Sequence, residues 1–182
     1  ELYSMASIFD SLKYGGHGVA ESTLMLATEC GGHFYNMVSD EDVDNGSVVQ
    51  YPTPEKWKEN DYFEAVKPAI TDKIALVLTP VKIYQEYTRL MQEDEGNFYN
   101  AAGERMRVYE VYPTDRFSLN KDAFAEDADP KKGAYVCVKA DSFKLTTKES
   151  DPSATNGFVG QIIQVNPNGT FDVFVKKNEA LA

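Results

Sequence analysis

The sequence contains 182 residues, of which 42% are hydrophobic, 12% aromatic and 26% charged. This length suits one domain or two small ones that bury roughly 70% of the unfolded surface, so folding requires no metal or disulfide. The 29 acidic and 18 basic residues give a formal net charge of -11. Because the basic residues do not cluster, this charge repels nucleic-acid phosphates and anionic lipids. We expect neither a nucleic-acid partner nor a membrane partner.

The sequence carries no recognisable membrane or export segment. No apolar run approaches the roughly 20 residues that a membrane-spanning helix needs, and the start lacks the basic and apolar regions of a secretory signal. Residues 1–4 precede a Met5 that resembles a native start, and we interpret them as a cloning remnant. These features predict a protein that is synthesised in the cytoplasm.

We predict that residues 1–22 form an arm and do not belong to a hydrophobic core. Four sizeable apolar side chains lie close together there, and three glycines at positions 15, 16 and 18 follow them and loosen any fixed path to the body. We expect these side chains to bind a partner; they are Ile8, Phe9, Leu12 and Tyr14. An ordinary N-terminal element packed on its own core is the alternative.

Between residues 23 and 98, short strand-like pieces alternate with turns. Asp44-Asn45-Gly46 predicts a tight hairpin turn, since Asn-Gly supplies positive φ angles. Thr53-Pro54-Glu55 is a helix-start pattern, which predicts a helical turn over residues 54–60. Residues 81–91 fit helix and strand periodicity about equally well, and both assignments stay open. The predicted strands are 23–27, 33–38, 47–51 and 73–78.

The chain from residue 99 to 182 has the clearest strand patterns. Residues 104–112 alternate charged with apolar or aromatic side chains, which predicts a strand with one solvent-facing side. Residues 158–165 and 170–176 flank Asn166-Pro167-Asn168-Gly169 and predict a hairpin that places Phe171, Val173 and Val175 on one face. Residues 134–139 predict another strand and 121–128 a helical turn, and segments 127–132 and 148–156 predict exposed loops.

Together these patterns predict a mainly β protein: a small barrel or sandwich of short antiparallel strands with few short helices and an N-terminal arm. The acidic, glycine-containing stretch near residues 93–103 suggests two β subdomains, 23–98 and 99–182. The sequence lacks the alternation of strands and long helices that would indicate a parallel sheet. The fold class therefore follows from turn spacing and strand periodicity.

Several clusters resemble catalytic or metal sites without completing one. Asp40, Asp42 and Asp44 alternate as in a calcium loop, but the loop glycine falls one place late and Tyr51 occupies the position of the bidentate glutamate. A solvated acidic turn is the favoured interpretation, and a weak cation site stays open. With 29 acidic residues, spacing alone cannot choose a carboxylate pair for hydrolysis.

The histidines and cysteines likewise suggest no complete centre. His17 and His33 with Cys30 supply too few ligands for a metal and lack a third orienting group for a Cys-His nucleophile. Cys30 and Cys137 form no CxxC or zinc spacing, which favours reduced packing thiols. A disulfide between them stays open because only their Cα distance decides it. We expect no cofactor, no metal and no catalytic residue.

Four segments of the chain together resemble small structural proteins of tailed phages that decorate or cement the capsid. They are residues 5–16 (MASIFDSLKYGG), 43–49 (VDNGSVV), 98–105 (FYNAAGER) and 157–163 (GFVGQII). The likeness is spread over most of the chain and includes no diagnostic motif. The chain is longer than the smallest capsid cement proteins, which argues against a single small barrel.

The resemblance implies a non-enzymatic virion protein on the capsid surface, synthesised in the host cytoplasm. It also implies the major capsid protein as partner and self-association into a homo-oligomer. One alternative is a host-surface or carbohydrate-binding β module. A carboxylate-dependent hydrolase is the other, and it requires a pocket with converging carboxyl groups of raised pKa.

Overall fold

The computed structural model describes residues 16–29, 33–59, 61–81 and 95–181. Within these ranges the protein is mainly β, with twelve strands and one short α-helix, as predicted. The helix is α1 (Leu26–Glu29), and single 3₁₀ turns span Pro54–Lys56, Glu95–Asn97 and Lys121–Ala123. The strands are β1 (Ala20–Leu24), β2 (Phe34–Val38), β3 (Val48–Gln50), β4 (Trp57–Lys58), β5 (Tyr62–Glu64), β6 (Ile74–Val77), β7 (Arg105–Glu110), β8 (Arg116–Leu119), β9 (Tyr135–Val138), β10 (Leu145–Lys148), β11 (Phe158–Val165) and β12 (Phe171–Asn178).

The strands form two six-stranded sheets. Sheet I has the order β3-β6-β7-β2-β5-β4, and sheet II has the order β1-β8-β12-β11-β9-β10. Neighbouring strands are antiparallel, as predicted, except for the parallel pair of β2 and β5. Each sheet contains one strand from the other half of the chain, since β1 lies in sheet II and β7 in sheet I. Sheet membership is not a domain assignment, and the division between residues 98 and 99 stays a prediction.

Sheet I is strongly curved. The Gln50 amide on β3 donates to the Val66 carbonyl oxygen at 2.9 Å, although β5, which ends two residues before Val66, is four places from β3 in the sheet. In a flat sheet, four spacings of about 4.8 Å would separate these strands by roughly 19 Å. The hydrogen bond therefore requires sheet I to bend into a barrel-like shape with an inner face.

Two apolar cores explain why β6 is apolar throughout. Ile74 and Leu76 belong to the core that sheet I shares with sheet II, whereas Ala75 and Val77 point to the inner face of sheet I. Successive side chains of a strand point to opposite faces, so a strand between two cores needs apolar residues at every position. The buried strand predicted for residues 73–78 is confirmed.

The long hairpin of β11 and β12 is also confirmed. Val165 pairs with Phe171, and Gly169 in the connecting turn has a φ of +86°, a conformation that glycine adopts without strain. Val173 and Val175 are buried in the core between the sheets, and Phe171 packs against the same core. The sequence predicts this hairpin because its two signals, the Asn-Pro-Asn-Gly turn and the period-two pattern, depend only on residues close together in the sequence.

The turn at Asn45-Gly46 exists, but the hairpin predicted there is wrong. Gly46 has a φ of +83°, whereas Asn45 does not have a positive φ, and the strands on either side of the turn are not neighbours in sheet I. The Asn45 side chain instead bonds both backbone groups of Thr79, at 2.9 and 3.0 Å. A tertiary partner therefore uses the amide that would favour a local turn.

Other local predictions are corrected where a distant residue decides the structure. Residues 23–27 are not one strand, because β1 ends at Leu24 and the Asp115 carboxylate accepts the Leu26 amide at 3.0 Å at the start of α1. The helical turn predicted for 54–60 stops at Lys56, after which β4 pairs with β5. The loop predicted as exposed over 148–156 contains two buried residues, Pro152 and Asn156. Residues 82–91 of the ambiguous segment lie outside the description.

Residues 16–22, which the sequence analysis assigns to the arm, are attached to the body. The Asn120 side chain accepts the Val19 amide at 2.9 Å and donates to the His17 carbonyl oxygen at 2.9 Å. Val19 is buried, and β1 pairs with β8. The remainder of the predicted arm, residues 1–15, lies outside the described residues.

Asn178 connects the two sheets, and its replacement by alanine is expected to cost about 2 kcal/mol of unfolding free energy. Its buried amide accepts the Ile74 N–H at 2.9 Å and donates to the carbonyl oxygens of Ile74 and Val111, at 2.9 and 2.7 Å. Alanine would leave these backbone groups unpaired. Urea unfolding checks this value against Gln164→Ala, an exposed control expected to stay within about 0.5 kcal/mol of wild type. Equal effects of the two substitutions would contradict the prediction.

No helix among the described residues is long and apolar enough to cross a membrane.

The prediction that loops 127–132 and 148–156 lie at the surface holds for most of their residues, since buried positions occur only in the second loop. The sequence analysis predicts neither β5, β8 nor β10, because their sequences show no clear strand alternation, and β4 lies where a helical turn is predicted.

Candidate binding groove

The predicted partner-binding residues Ile8, Phe9, Leu12 and Tyr14 all lie outside the described residues, as does Cys30. Their role stays a prediction. Cys137 is a free, buried thiol, and burial raises its pKa. This environment agrees with a packing role for Cys137, since a raised pKa reduces the thiolate fraction that would react.

The acidic turn of Asp40, Asp42 and Asp44 makes tertiary contacts instead of converging on a point. Asp42 accepts the Ala102 amide at 2.9 Å, and Asp44 bonds His17 Nδ1 at 2.9 Å. Asp40 is exposed. Among the residues that the structure describes, no group of three or more His, Cys, Asp and Glu side chains has the geometry of a metal site.

The two histidines occupy separate environments. His17 stacks on Tyr99, with ring centroids 5.1 Å apart, in addition to its bond with Asp44. His33 lies just before β2, with Nδ1 3.0 Å from a Glu110 carboxylate oxygen. Each histidine therefore contacts a different carboxylate.

Glu110 is the centre of a buried polar network. Its carboxylate lies 2.5 Å from Lys73 Nζ and accepts the Tyr112 hydroxyl at 2.8 Å. The Tyr51 hydroxyl donates to it at 3.4 Å, and His33 approaches the same oxygen as Tyr112. Only 5% of Glu110 is exposed, so these partners replace the water that an exposed carboxylate would bind.

The network fixes the protonation of its members. Burial raises the pKa of the Glu110 carboxyl, but the hydrogen bonds from Lys73 and Tyr112 outweigh burial, and the pKa lies below its usual range. Burial, followed by hydrogen bonding to Tyr35 and the Glu110 charge, raises the pKa of Tyr51. Burial and the bond to Glu110 raise that of Tyr112. Near neutral pH, the carboxylate is therefore charged and both phenols keep their protons.

This arrangement suits positioning more than proton transfer. A general acid at neutral pH needs a carboxyl pKa raised toward the operating pH, and Glu110 is shifted the other way. Both carboxylate oxygens already have partners. The network can hold Tyr51 and Lys73 in place, and the Lys73 ammonium also lies 3.9 Å from the centre of the Tyr51 ring.

An open aromatic groove of about 470 Å³ adjoins this network. Tyr51 takes part in both, because its hydroxyl bonds Glu110 and its ring lines the groove. Four of the lining side chains are aromatic and two are proline. We call this feature the aromatic groove; its residues are Tyr35, Tyr51, Pro52, Thr53, Pro54, Trp57 and Phe63.

The strands of sheet I place the aromatic side chains. Trp57 on β4 and Phe63 on β5 are direct antiparallel partners, so their side chains lie on the same face. Tyr35 and Phe63 pack against the core on the inner face of sheet I. Prolines 52 and 54 complete the wall before β4 begins. The groove thus lies where side chains of β2, β4 and β5 meet the residues that follow β3.

Sequence reasoning missed both Glu110 and the groove, although each left a signal. Glu110 has the same strand parity as Met106 and Val108, so the period-two pattern places an acid on the apolar face of β7. Trp57 is the chain's single tryptophan and follows two prolines closely. Neither signal identifies the contacts, because Tyr35, Tyr51 and Glu110 are far apart in sequence.

The candidate features are therefore the aromatic groove, the Glu110 network beside it, and the exposed apolar side chains described below. The groove has the apolar lining and concave shape of a binding site. The network holds Tyr51, one of the lining residues, in place through its hydroxyl. Comparisons of the chain with protein-family models, with curated proteins and with solved structures found no match.

Proposed function

We propose that this chain is a non-enzymatic structural protein of a tailed-phage virion that binds and stabilises the outside of the capsid. Its partner in this proposal is the major capsid protein, and it acts as a homo-oligomer. The resemblance of the four segments named above supports the proposal. A β body made of short strands is compatible with such a role, although a fold alone does not determine function.

The observation that carries the proposal is a set of exposed apolar side chains on adjoining elements that include β1, an edge strand of sheet II. Leu24 and Leu26 are each 49% exposed and Phe34 is 42% exposed. Their elements adjoin, since α1 contacts β1 and β7, and β2 pairs with β7. We call these three residues the β1–β2 apolar surface. Neighbouring exposed apolar side chains commonly mark a protein contact.

Strand β1 adds a second means of attachment. It is an edge strand of sheet II and pairs only with β8 among the strands described. An edge strand has unpaired backbone groups to which an extended segment of a partner can bond. The proposal assigns Ile8, Phe9, Leu12 and Tyr14 to the same interaction, as apolar anchors that bind a neighbouring subunit or the capsid.

Co-sedimentation with mature capsids that lack the protein tests the proposal. Wild type is expected to sediment with the capsids, and replacing Leu24, Leu26 and Phe34 together by serine is expected to weaken binding at least roughly tenfold. The reason is that each buried apolar side chain contributes about 1.5–3 kcal/mol. Ile163→Ser with Val165→Ser removes exposed apolar groups on β11 and serves as the control that retains binding.

Two results would contradict the proposal. One is a wild-type protein that stays soluble and monomeric with mature capsids, especially if a glycan array gives hits, because the host-surface alternative would then account for function. The other is equal binding by all three proteins. The hydrolase alternative lacks support at Glu110, whose pKa is lowered and not raised.

A further inference from the structure

The walls of the aromatic groove are held in fixed orientations. The Tyr35 ring is perpendicular to those of Tyr51 and Phe63, at interplanar angles of 81° and 88° and centroid distances of 5.8 and 5.9 Å. The hydroxyls of Tyr35 and Tyr51 are 3.0 Å apart and hydrogen bonded, and Tyr51 also bonds Glu110. A ligand would therefore meet preorganised walls, which lowers the entropy cost of binding.

The groove offers apolar ring faces and few free polar groups. The protons of the two tyrosine hydroxyls are used in their bond to each other and in the bond to Glu110, so neither hydroxyl has a free donor for a ligand. Trp57 is 51% exposed, and its indole N–H has no hydrogen-bond partner among the described residues. A ligand for this surface needs apolar bulk and a carbonyl oxygen for the indole, and little else.

A proline-rich segment meets these requirements better than a glycan. A polyproline II helix has no internal hydrogen bonds, presents its carbonyl oxygens outward and packs its rings in aromatic-lined grooves. Proline has no N–H, so the groove need not supply acceptors. A sugar carries several hydroxyls, each of which loses water on burial and needs a partner, and the groove has few to offer.

Charges beside the groove favour a basic ligand. Lys56 and Lys58 approach the Glu64 carboxylate at 3.9 and 3.1 Å. Glu55 and Glu59 are also exposed, and Glu55 interacts with Thr53 and Lys56. Residues 55–64 carry four carboxylates and two lysines, which leaves a formal charge of -2. The formal net charge of the chain is -11. A lysine or arginine that flanks the prolines would therefore meet a negative local field.

We propose that the aromatic groove binds a proline-rich segment of a partner protein in the polyproline II conformation, flanked by a basic residue. Trp57 donates its indole N–H to a ligand carbonyl oxygen, the aromatic rings pack on the prolines, and Glu55 and Glu59 attract the basic residue. The proposal is independent of capsid binding, because the groove and the β1–β2 apolar surface have no residue in common.

Titration of the full chain with a synthetic peptide tests the inference. The peptide has one arginine followed by about eight prolines, roughly 25 Å long at 3.1 Å per residue. Because Trp57 is the chain's single tryptophan, its fluorescence reports on the groove directly. We expect a saturable emission change with this peptide and none with a glycine-serine peptide that carries the same arginine.

Calorimetry with variants locates the binding. Trp57→Ala is expected to weaken binding at least roughly tenfold. Tyr99→Ala removes an aromatic side chain that is 42% exposed and does not line the groove, and it is expected to bind as wild type does. Glu55→Gln with Glu59→Gln is expected to weaken binding about threefold at low salt, with little effect at high salt. Circular dichroism confirms that each variant is folded.

Three outcomes would overturn the inference. They are no saturable signal with the proline peptide, equal peptide binding by Trp57→Ala and wild type, and a fluorescence change with maltohexaose or chitohexaose but not with the peptide. The last result would identify the groove as a glycan site. Failure of capsid co-sedimentation would leave the peptide result unaffected, so the two proposals are tested separately.

Discussion

Replacing Glu110 by glutamine is expected to lower the free energy of unfolding by about 3 kcal/mol. The substitution keeps the size of the side chain but removes its charge and replaces one of the two oxygens that bond Lys73 and Tyr112 by an amide nitrogen. The Lys73 side chain is 30% exposed, so water compensates part of the loss and the effect stays below that of a fully buried pair. Urea unfolding at pH 7 measures the change.

The decrease in unfolding free energy caused by Glu110→Gln should depend on pH. The pKa of Glu110 is lowered in the folded protein, so its contribution is fully present above the unfolded pKa of about 4.3 and disappears as pH falls through the folded value. The stability difference between wild type and Glu110→Gln should therefore be constant from about pH 6 to 8 and shrink below about pH 4.

The tyrosines of the network lose their contribution to stability when the pH rises, whereas Glu110 loses its contribution when the pH falls. Folding raises the pKa values of Tyr51 and Tyr112, so the unfolded chain loses these protons first. Their contribution is present below the unfolded pKa of about 10 and is lost as pH rises above it. Unfolding curves across this range show whether the network is lost at both extremes of pH.

A matched control separates the network from ordinary charge effects. Glu149→Gln also removes a carboxylate that pairs with a lysine, but the Glu149 side chain is 87% exposed, and we expect a change within about 0.5 kcal/mol. A double-mutant cycle with Lys73→Met measures the coupling to Glu110. Equal effects of Glu110→Gln and Glu149→Gln would show that the network does not stabilise the fold.

Replacing Gly157 by alanine is expected to cost at least about 3 kcal/mol, or to prevent folding. A Cβ atom at this position would collide with the Asp72 carbonyl oxygen and lie 2.5 and 2.7 Å from those of Thr71 and Glu179. Backbone oxygens cannot move aside by changing rotamer. Moreover, Gly157 N–H bonds the Ile70 carbonyl oxygen and its own carbonyl accepts the Glu179 amide, so the glycine cannot shift without breaking both.

Gly103→Ala provides the control for backbone strain. Gly103 has a φ of +80° and no atom within 4 Å of an added Cβ, so alanine there costs only the left-handed conformation, about 1–2 kcal/mol. Thermal unfolding should rank wild type above Gly103→Ala and Gly157→Ala lowest. A Gly157→Ala protein as stable as Gly103→Ala would show that the crowding is relieved.

The sequence by itself predicts the mainly β class and the elements whose signals are local. The turn after Val165, the alternation along β7 and the apolar run of β6 depend on residues next to one another, and each element was located correctly. Side-chain periodicity and turn chemistry act over a few residues, which is why one sequence suffices to find them.

Only the tertiary structure decides which strands pair and what lies at their ends. Asp115 holds the start of α1 where a strand is predicted, and Asn45 bonds Thr79 where a hairpin is predicted. Contacts between residues 34 or more positions apart therefore override these two local predictions. The aromatic groove likewise exists only because the curvature of sheet I brings β2, β3, β4 and β5 together around Tyr51. These contacts gain their free energy from burial after the chain has closed, and no local pattern encodes their partners.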